Sequence, residues 1–436
     1  MQNDLQAKST KARRVVSQRL SDGSLVETLF SEKNQQTSFA TCRAGVVKIE
    51  SVYITEQGEK LEPVPGANNL IRYGAVTLAE APEDYGSIPE LVASIQAYIY
   101  RYVDLSDHFR KIASYYVMLT WVYDAFNELP YLRLRGDYGS GKTRALLVLG
   151  SICNKAFFAS GASTVSPIFH TLDSFRGTLI FDEADFRFSD EKSELIKIFN
   201  NGNVRGFPVL RTAVTVRNEF DPRAFNVFGP KIVAMRKSFD DKALESRFLT
   251  EEMGQRSMRS DIPINLPDVQ KAEAKKLRNQ LLMYRFKTLG SIKIDDSLVD
   301  RSLSPRLNQI LVPLLSIIDD ESLRSDIQES VESIDQNLYA ERSQSTEAGV
   351  LEVLHELFLI NGDTALSIAD ITDTFAKKFA GEYERPVTNR FVGGILRNRL
   401  RLTTYKSHGV YVLPVSEKPK VAELRIRYGV TERGDG

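Results

Sequence analysis

Apolar positions recur in short alternating runs near the amino end of the chain and at helical spacing further on. Residues 1–20 are polar, with Lys8, Lys11, Arg13 and Arg14 among them, and read as a frayed end. From Leu25 to about Leu78 the runs Leu25–Phe30, Val46–Thr55 and Ala75–Leu78 are β-rich, with turn residues such as Gly58, Pro63, Pro65 and Gly66 between them. A small β-rich domain over 1–87 follows from this. Ile88–Val103 and His108–Phe126 read as helices, and the aromatic run from Tyr115 to Phe126 reads as core. A short apolar strand, Tyr131–Leu134, then runs into a glycine loop. From there to about Thr250 strands and helices alternate, which predicts a parallel sheet with crossover helices. Residues 268–343 read as all helical, and 346–415 as three helices and a hairpin.

Composition narrows the picture. A chain of 436 residues is too long for one ordinary domain. Its 42% hydrophobic and 26% charged residues sit at globular averages, which argues against disorder and fibrous repeats. The longest apolar stretches, such as Ile310–Ile318, fall short of the roughly 20 residues a membrane helix needs. No basic-then-apolar leader is visible, so a cytoplasmic protein is expected. Cys42 and Cys153 lack metal-ligand spacing, and the four histidines are scattered. The 57 Lys and Arg balance 57 Asp and Glu, yet from Arg385 onward there are eleven Lys and Arg against four Asp and Glu. That excess hints at an anionic partner; a solvated tail fits the same count.

Chemistry enters at Gly136-Asp137-Tyr138-Gly139-Ser140-Gly141-Lys142-Thr143, which matches G-x-x-x-x-G-K-[ST] with a strand before it and a helix, Arg144–Gly150, after it. Glycines let backbone amides close around phosphates at the positive end of a helix. Lys142 supplies a point charge, and Thr143 offers its hydroxyl to Mg²⁺. Forty residues on, the run Gly177–Asp185 reads as a buried strand ending in Asp182 and Glu183, at the end of an α/β strand where ligands bind. Asp182 suits a water-mediated hold on Mg²⁺, and Glu183 suits activation of the attacking water. An exposed acidic turn is the plainer alternative. ATP and Mg²⁺ are the expected ligands.

In order and spacing the two motifs resemble the AAA+ class of P-loop ATPases. Ser246-Arg247-Phe248 looks like the Ser-Arg-Phe motif of minichromosome-maintenance helicases and related replication ATPases. That resemblance implies that Arg247 reaches a neighbouring subunit's ATP site; the alternative is a surface arginine opening a strand. The run from Gly177 to Asp185 together with Asn200-Asn201-Gly202-Asn203 is also similar to ATPases of phage and mobile elements. The resemblance covers about residues 88–320 and implies an AAA+ core over 88–267, a helical lid over 268–344 and a hexameric ring. Such ATPases usually carry a polar residue, often Asn, after the strand that follows the acidic pair. Here Arg236 and Lys237 follow Met235, so Arg236 is a candidate γ-phosphate sensor. For the lid arginine at the γ-phosphate Arg306 fits by position, with Arg278 and Arg285 as competitors. Between Gly202 and Gly229, alternation with Arg205, Arg211 and Arg217 predicts a hairpin. In the replication ATPases a hairpin here grips the nucleic-acid backbone; a solvated hairpin is the alternative.

Residues 345–436 resemble a winged helix: helices over 347–360, Ser367–Phe379 and Pro386–Leu400, then strands flanking Ser407-His408-Gly409. The third helix exposes Asn389, Arg390, Arg397 and Arg401, suited to DNA, whereas a winged helix used only for protein contact has the same pattern. The combined reading is an α/β P-loop ATPase acting on DNA as a ring helicase or translocase. A loader of the origin-binding kind or a signalling switch are the alternatives.

Overall fold

A computed structural model describes residues 12–182, 190–214, 220–239, 241–255, 258–329, 331, 345–379 and 386–430. The chain divides into two compact units, residues 1–327 and 328–436, each described by itself.

The first unit opens with strands where a frayed end was expected. β1 (Arg13–Val15) pairs in parallel with β7 (Lys60–Pro63), and β2 (Ser17–Arg19) pairs with β3 (Leu25–Ser31). Their outward arginines mask an inner face on which Val15 and Val16 are buried. β3, β4 (Gln36–Arg43) and β5 (Val46–Glu50) continue an antiparallel sheet, and β6 (Tyr53–Ile54) pairs with β7. Ala75–Leu78, expected as a strand, makes only one bridge, Val76 to Phe157. The short helix α1 (Asn69–Arg72) precedes it.

Two helices lead into the main sheet. Ser87 and Glu90 cap α2 (Ile88–Tyr102) reciprocally, each side chain bonded to the other's backbone amide. In α3 (Asp107–Val122) every residue from Ile112 to Val122 is buried, so the aromatic run is core. Tyr116 and Trp121 satisfy their polar tips on backbone carbonyls.

The main sheet has five parallel strands: β8 (Tyr131–Arg135), β9 (Phe157–Ser160), β10 (Leu179–Asp182), β13 (Lys231–Met235) and β14 (Phe248–Glu252), in the order β14-β8-β13-β10-β9. Strands buried on both faces read as apolar runs, as β10 and β13 do. Helices α4 (Lys142–Gly150), α5 (Val165–Phe175) and α6 (Asp190–Asn201) connect them. Leu172, Leu195 and Phe199 pack with Tyr131, Phe181 and Val233 in one core. The expected hairpin is present as β11 (Val209–Val214) and β12 (Phe220–Phe225). Arg217 lies outside the described residues. The short helix α7 (Lys242–Glu245) leads into β14.

Lys231 opens β13 from a site that is wholly buried. Its Nζ donates to Gly202, Val227 and Gly229 carbonyls at 3.1, 3.0 and 2.9 Å. Burial holds the amine well below the usual lysine range. A Cβ on Gly202 would lie 2.3 Å from that nitrogen, which explains the glycine in the Asn200–Asn203 turn.

The residues expected as a lid begin with α8 (Asp268–Thr288), which packs on α2 and α3. Asn279 of α8 accepts from the Glu80 and Ala81 amides, and Arg278 donates to the Leu78 and Ser151 carbonyls. α9 (Pro305–Leu315) and α10 (321–329) follow. A second link reaches the amino-terminal sheet. Glu27 of β3 meets Lys155 at 2.9 Å and Arg285 of α8 at 2.7 Å, while Arg285 makes a two-pronged contact with Asp124.

Among its described residues the second unit has a three-stranded antiparallel sheet interleaved with three helices, ahead of a fourth. They are α11 (Thr346–Asn361), β15 (Leu366–Ser367), α12 (Ile368–Lys378), α13 (Asn389–Gly394) with a π turn through Arg399, β16 (Tyr405–Ser407) and β17 (Val410–Leu413). Strand order is β15-β17-β16. His408 and Gly409, at φ 48° and 88°, make the two-residue turn. A fourth helix, α14 (Lys418–Tyr428), was not anticipated and packs on α11. Among the described residues no helix is long and apolar enough to cross a membrane.

Candidate functional site: a phosphate loop at the carboxyl ends of the sheet

β8 delivers the chain to Gly136 at its carboxyl end, and α4 begins at Lys142. Between them the loop folds on itself. Gly139 and Gly141 adopt φ of 73° and 87°, left-handed values that suit glycine. Gly136 is glycine for another reason: a Cβ there would meet the Met253 carbonyl at 2.5 Å. Lys142 Nζ donates to the Gly136 and Asp137 carbonyls, both at 2.6 Å, and to Ser140 Oγ at 3.2 Å. Ser140 in turn donates to the Asp137 carbonyl at 2.8 Å.

The second half of the site comes from β10, two strands away. Thr143 Oγ1 donates to Asp182 Oδ2 at 2.7 Å, so two residues far apart in sequence meet beside the loop. Glu183 lies outside the described residues. Tyr138 is 80% exposed on the loop, and the Arg236 guanidinium sits 3.7 Å from its ring centroid. Arg236, Tyr138, Lys142, Thr143 and Asp182 share a cavity of about 300 Å³. The structure therefore brings the sensor candidate after β13 to the loop.

On the other side of the loop a cavity of about 320 Å³ has Val103, Met253, Met258 and Ile262 as its apolar wall and Asp104, Asp137, Arg144, Glu251 and Glu252 at its charged positions. Arg144 donates to the Pro263 and Ile264 carbonyls, which ties the segment after β14 to α4. Sequence reasoning missed this wall. Its residues come from three distant segments, and none carries a motif.

Other candidates are placed elsewhere. Arg247 opens β14 beside Tyr131, the first residue of β8, at the opposite end of the strands from Gly136. It is 7% exposed and donates to Asn200 Oδ1. Burial, with Arg306 nearby, lowers its pKa from the ordinary arginine value. Arg306, expected at the γ-phosphate, instead donates to the Ala243 carbonyl at 3.1 Å, in the Arg247 neighbourhood. Arg278 and Arg285 are committed to buried bonds within the body and do not line either cavity beside the loop. Arg211 pairs with Glu194 of α6 and lies 4.6 Å over the Phe169 ring. It packs the base of the hairpin rather than projecting from it. Arg205 precedes the hairpin and caps the Asp124 and Phe126 carbonyls. In the second unit Arg390 and Arg397 are both exposed, with Arg397 over the Tyr411 ring at 5.6 Å.

No family model and no curated protein sequence matches the chain. Among solved structures it is similar to the apo form of the NrS-1 C-terminal region, at 13% identity and a TM-score of 0.36, over 89% of this chain and 96% of that one. JCV helicase bound to an inhibitor overlaps at 15% identity and a TM-score of 0.24, over 58% of this chain and 62% of that one. The Aeropyrum pernix Orc1 protein in complex with DNA gives 15%, 0.20, 74% and 95% in the same measures. Overlaps this loose say little about chemistry, which has to come from the residues of this chain.

Proposed function

We propose that the chain is a Mg²⁺-dependent AAA+ ATPase that works on DNA as a ring, a helicase or translocase. The observation that carries this reading is the 2.7 Å contact of Thr143 with Asp182 beside a G-x-x-x-x-G-K-T loop. A hydroxyl and a carboxylate, with Lys142 adjacent, form the oxygen-donor set that a magnesium nucleotide requires. Magnesium bound there would offset charge on the phosphate oxygens. Lys142 and the amides of Gly136–Thr143 hold the phosphates, and the apolar wall of Val103, Met253, Met258 and Ile262 takes the base. Glu183 follows Asp182 directly and is assigned the role of orienting and deprotonating water. Arg236 is assigned to sense the γ-phosphate in place of the usual asparagine.

Arg247 and Arg306 lie together at the end of the sheet's first strand pair that faces away from the loop. Both are assigned to the site of a neighbouring subunit. Arg217, which falls between β11 and β12 in the sequence, and the exposed Arg390 and Arg397 are the proposed DNA contacts. The second unit's three helices and three-stranded sheet support its reading as a winged helix. The test is ATP hydrolysis without DNA and with single- and double-stranded DNA, on the intact protein and on Thr143→Ala. Hydrolysis stimulated by DNA and lost in the variant is expected. Hydrolysis that neither DNA stimulates removes the motor, and no hydrolysis removes the ATPase.

A further inference from the structure

A larger cavity, of about 990 Å³, lies well away from the phosphate loop, between the amino-terminal strands and the body of the first unit. One wall is β1 and β2, with Arg13, Arg14 and Arg19. The other comes from the body and includes His170, Ser174, Arg176 and Arg205. Its lining is rich in cations. Asp124 and Asp173 are the acids among its described lining residues, and Arg285 already engages Asp124. Lys155 is likewise committed to Glu27, and Arg13 to Glu59.

Arg14, Arg19 and Arg176 are different. All three are exposed and make no described ion pair, although Glu62 lies opposite Arg14 in the β1–β7 pairing, where Lys60 and then Arg14 lower its carboxyl pKa. Arg205 is held by two carbonyls and the Phe228 ring at 5.0 Å, again without an acid. Four guanidinium groups thus line one cavity without a described ion pair of their own, in the company of Asp173 and the Arg285-bound Asp124. Like charges gathered this way repel one another, so the arrangement is stabilised by an anion.

The backbone points to the same place. Among the described residues six non-glycine residues have left-handed φ, and two of them, Lys155 (45°) and Arg176 (50°), line this cavity. Arg176 ends α5 and is pinned there by the Tyr123 hydroxyl, which donates to its carbonyl at 2.6 Å. Gly177 follows, with no room for a Cβ: the Lys155 carbonyl would lie 2.0 Å away. A long basic side chain is an uncommon occupant of that conformation, and strain of this kind collects at binding sites.

We infer that this cavity binds a nucleic-acid strand through its phosphates, at a site separate from the hairpin and from the second unit. Guanidinium groups on facing walls match successive phosphates of one strand, and the volume admits a few nucleotides rather than a duplex. The inference rests on the DNA-directed reading of the protein, and its test is chosen to fail separately.

The test uses the full chain and fluorescein-labelled oligothymidylates from about two to about twenty nucleotides, followed by anisotropy over a salt series. The double variant Arg14→Ala/Arg176→Ala should weaken binding of the longer strands by at least about tenfold. Its salt slope should be shallower by roughly 1.4, two phosphate contacts on a single strand. ATP hydrolysis without DNA should be unchanged, because neither residue touches the phosphate loop. Ser174→Arg, which adds a cation to the rim, should tighten binding and guards against a variant that is merely misfolded. Unchanged affinity and slope in both variants overturn this inference and leave the motor reading standing. Equal affinity for the shortest and longest strands overturns it in favour of a small phosphate-ligand site. An intact protein that binds no oligothymidylate overturns both.

Discussion

Glu27→Gln should loosen the amino-terminal sheet from the body, and its magnitude follows from four clustered charges, three of them buried and Asp124 partly so. Glu27 and Asp124 balance Lys155 and Arg285, so the network is neutral as a whole. At 2.9 and 2.7 Å each Glu27 contact is worth about 6 kcal/mol gross at an effective dielectric of about 20. Desolvation offsets much of that, and breaking such a pair typically costs about 3–5 kcal/mol because a buried charge is left over. At roughly 2.1 cal/mol/K of unfolding entropy per residue, the fall in Tm for a unit of this size is about 4–7 °C.

The pH dependence has a definite sign. Burial disfavours the Glu27 carboxylate, but Lys155 and Arg285 overcome it and hold its pKa below the usual range. Asp124 is lowered in the same way, burial being outweighed by Arg285. A depressed carboxyl pKa stabilises fully above the unfolded value, about 4.3 for Glu, and the gain is lost as pH falls through the folded one. Glu27→Gln should therefore flatten the acid limb of stability against pH. Adding Lys155→Met restores neutrality, since Arg285 keeps Asp124, and should recover at least half the lost Tm. Thermal unfolding followed from about pH 3 to 8 decides the matter. A single variant within about 1 °C of the parent, or a double variant worse than the single, refutes the reasoning.

Lys142→Ala should abolish nucleotide binding, while Glu183→Gln should bind ATP and fail to turn it over; near-normal turnover in the second removes Glu183 as the base. Arg247→Ala should bind ATP, lose roughly 10³-fold or more in hydrolysis, and regain activity when mixed with Lys142→Ala if it acts across a subunit boundary. Mixed oligomers that form and never recover activity place its role within its own subunit. Gly202→Ala should lower Tm by several degrees, because the new methyl displaces the Lys231 amine from its three carbonyls; an unchanged Tm means the amine relocates at no cost.

What the sequence revealed was what chemistry keeps contiguous. The loop from Gly136 to Thr143 and the strand ending in Asp182 were legible because each needs its residues in an unbroken run. The hairpin was legible from alternation alone. Arg13, Arg14 and Arg19 misled, because an edge strand with outward arginines is locally indistinguishable from a basic tail. Arg278 and Arg285 misled for the converse reason: a helix arginine gives no sign of whether it faces a phosphate or a buried carboxylate 258 positions away, as Arg285 faces Glu27. α14 had a signal that went unread, with Pro419 in its first turn and Val421, Leu424 and Tyr428 at helical spacing. The Asn200–Asn203 turn has a physical cause: Asn200 accepts from Arg247, and Gly202 leaves room for Lys231.

The loop from Gly136 to Thr143 also bears on how selectivity for an anion is set before any ligand arrives. The Lys142 side chain is satisfied by two carbonyls and a hydroxyl, and the Thr143 hydroxyl by Asp182, so both side-chain donors are already paired. A neutral ligand would only exchange one uncharged acceptor for another, for a net gain near zero. A phosphate exchanges an uncharged acceptor for a charged one, and a hydrogen bond to a charged group contributes about 1.5–3 kcal/mol against about 1 for a neutral one. Summed over Lys142 and the amides, that difference favours polyphosphate. Holding Lys142 on its own loop therefore costs less binding energy toward anions than toward uncharged ligands.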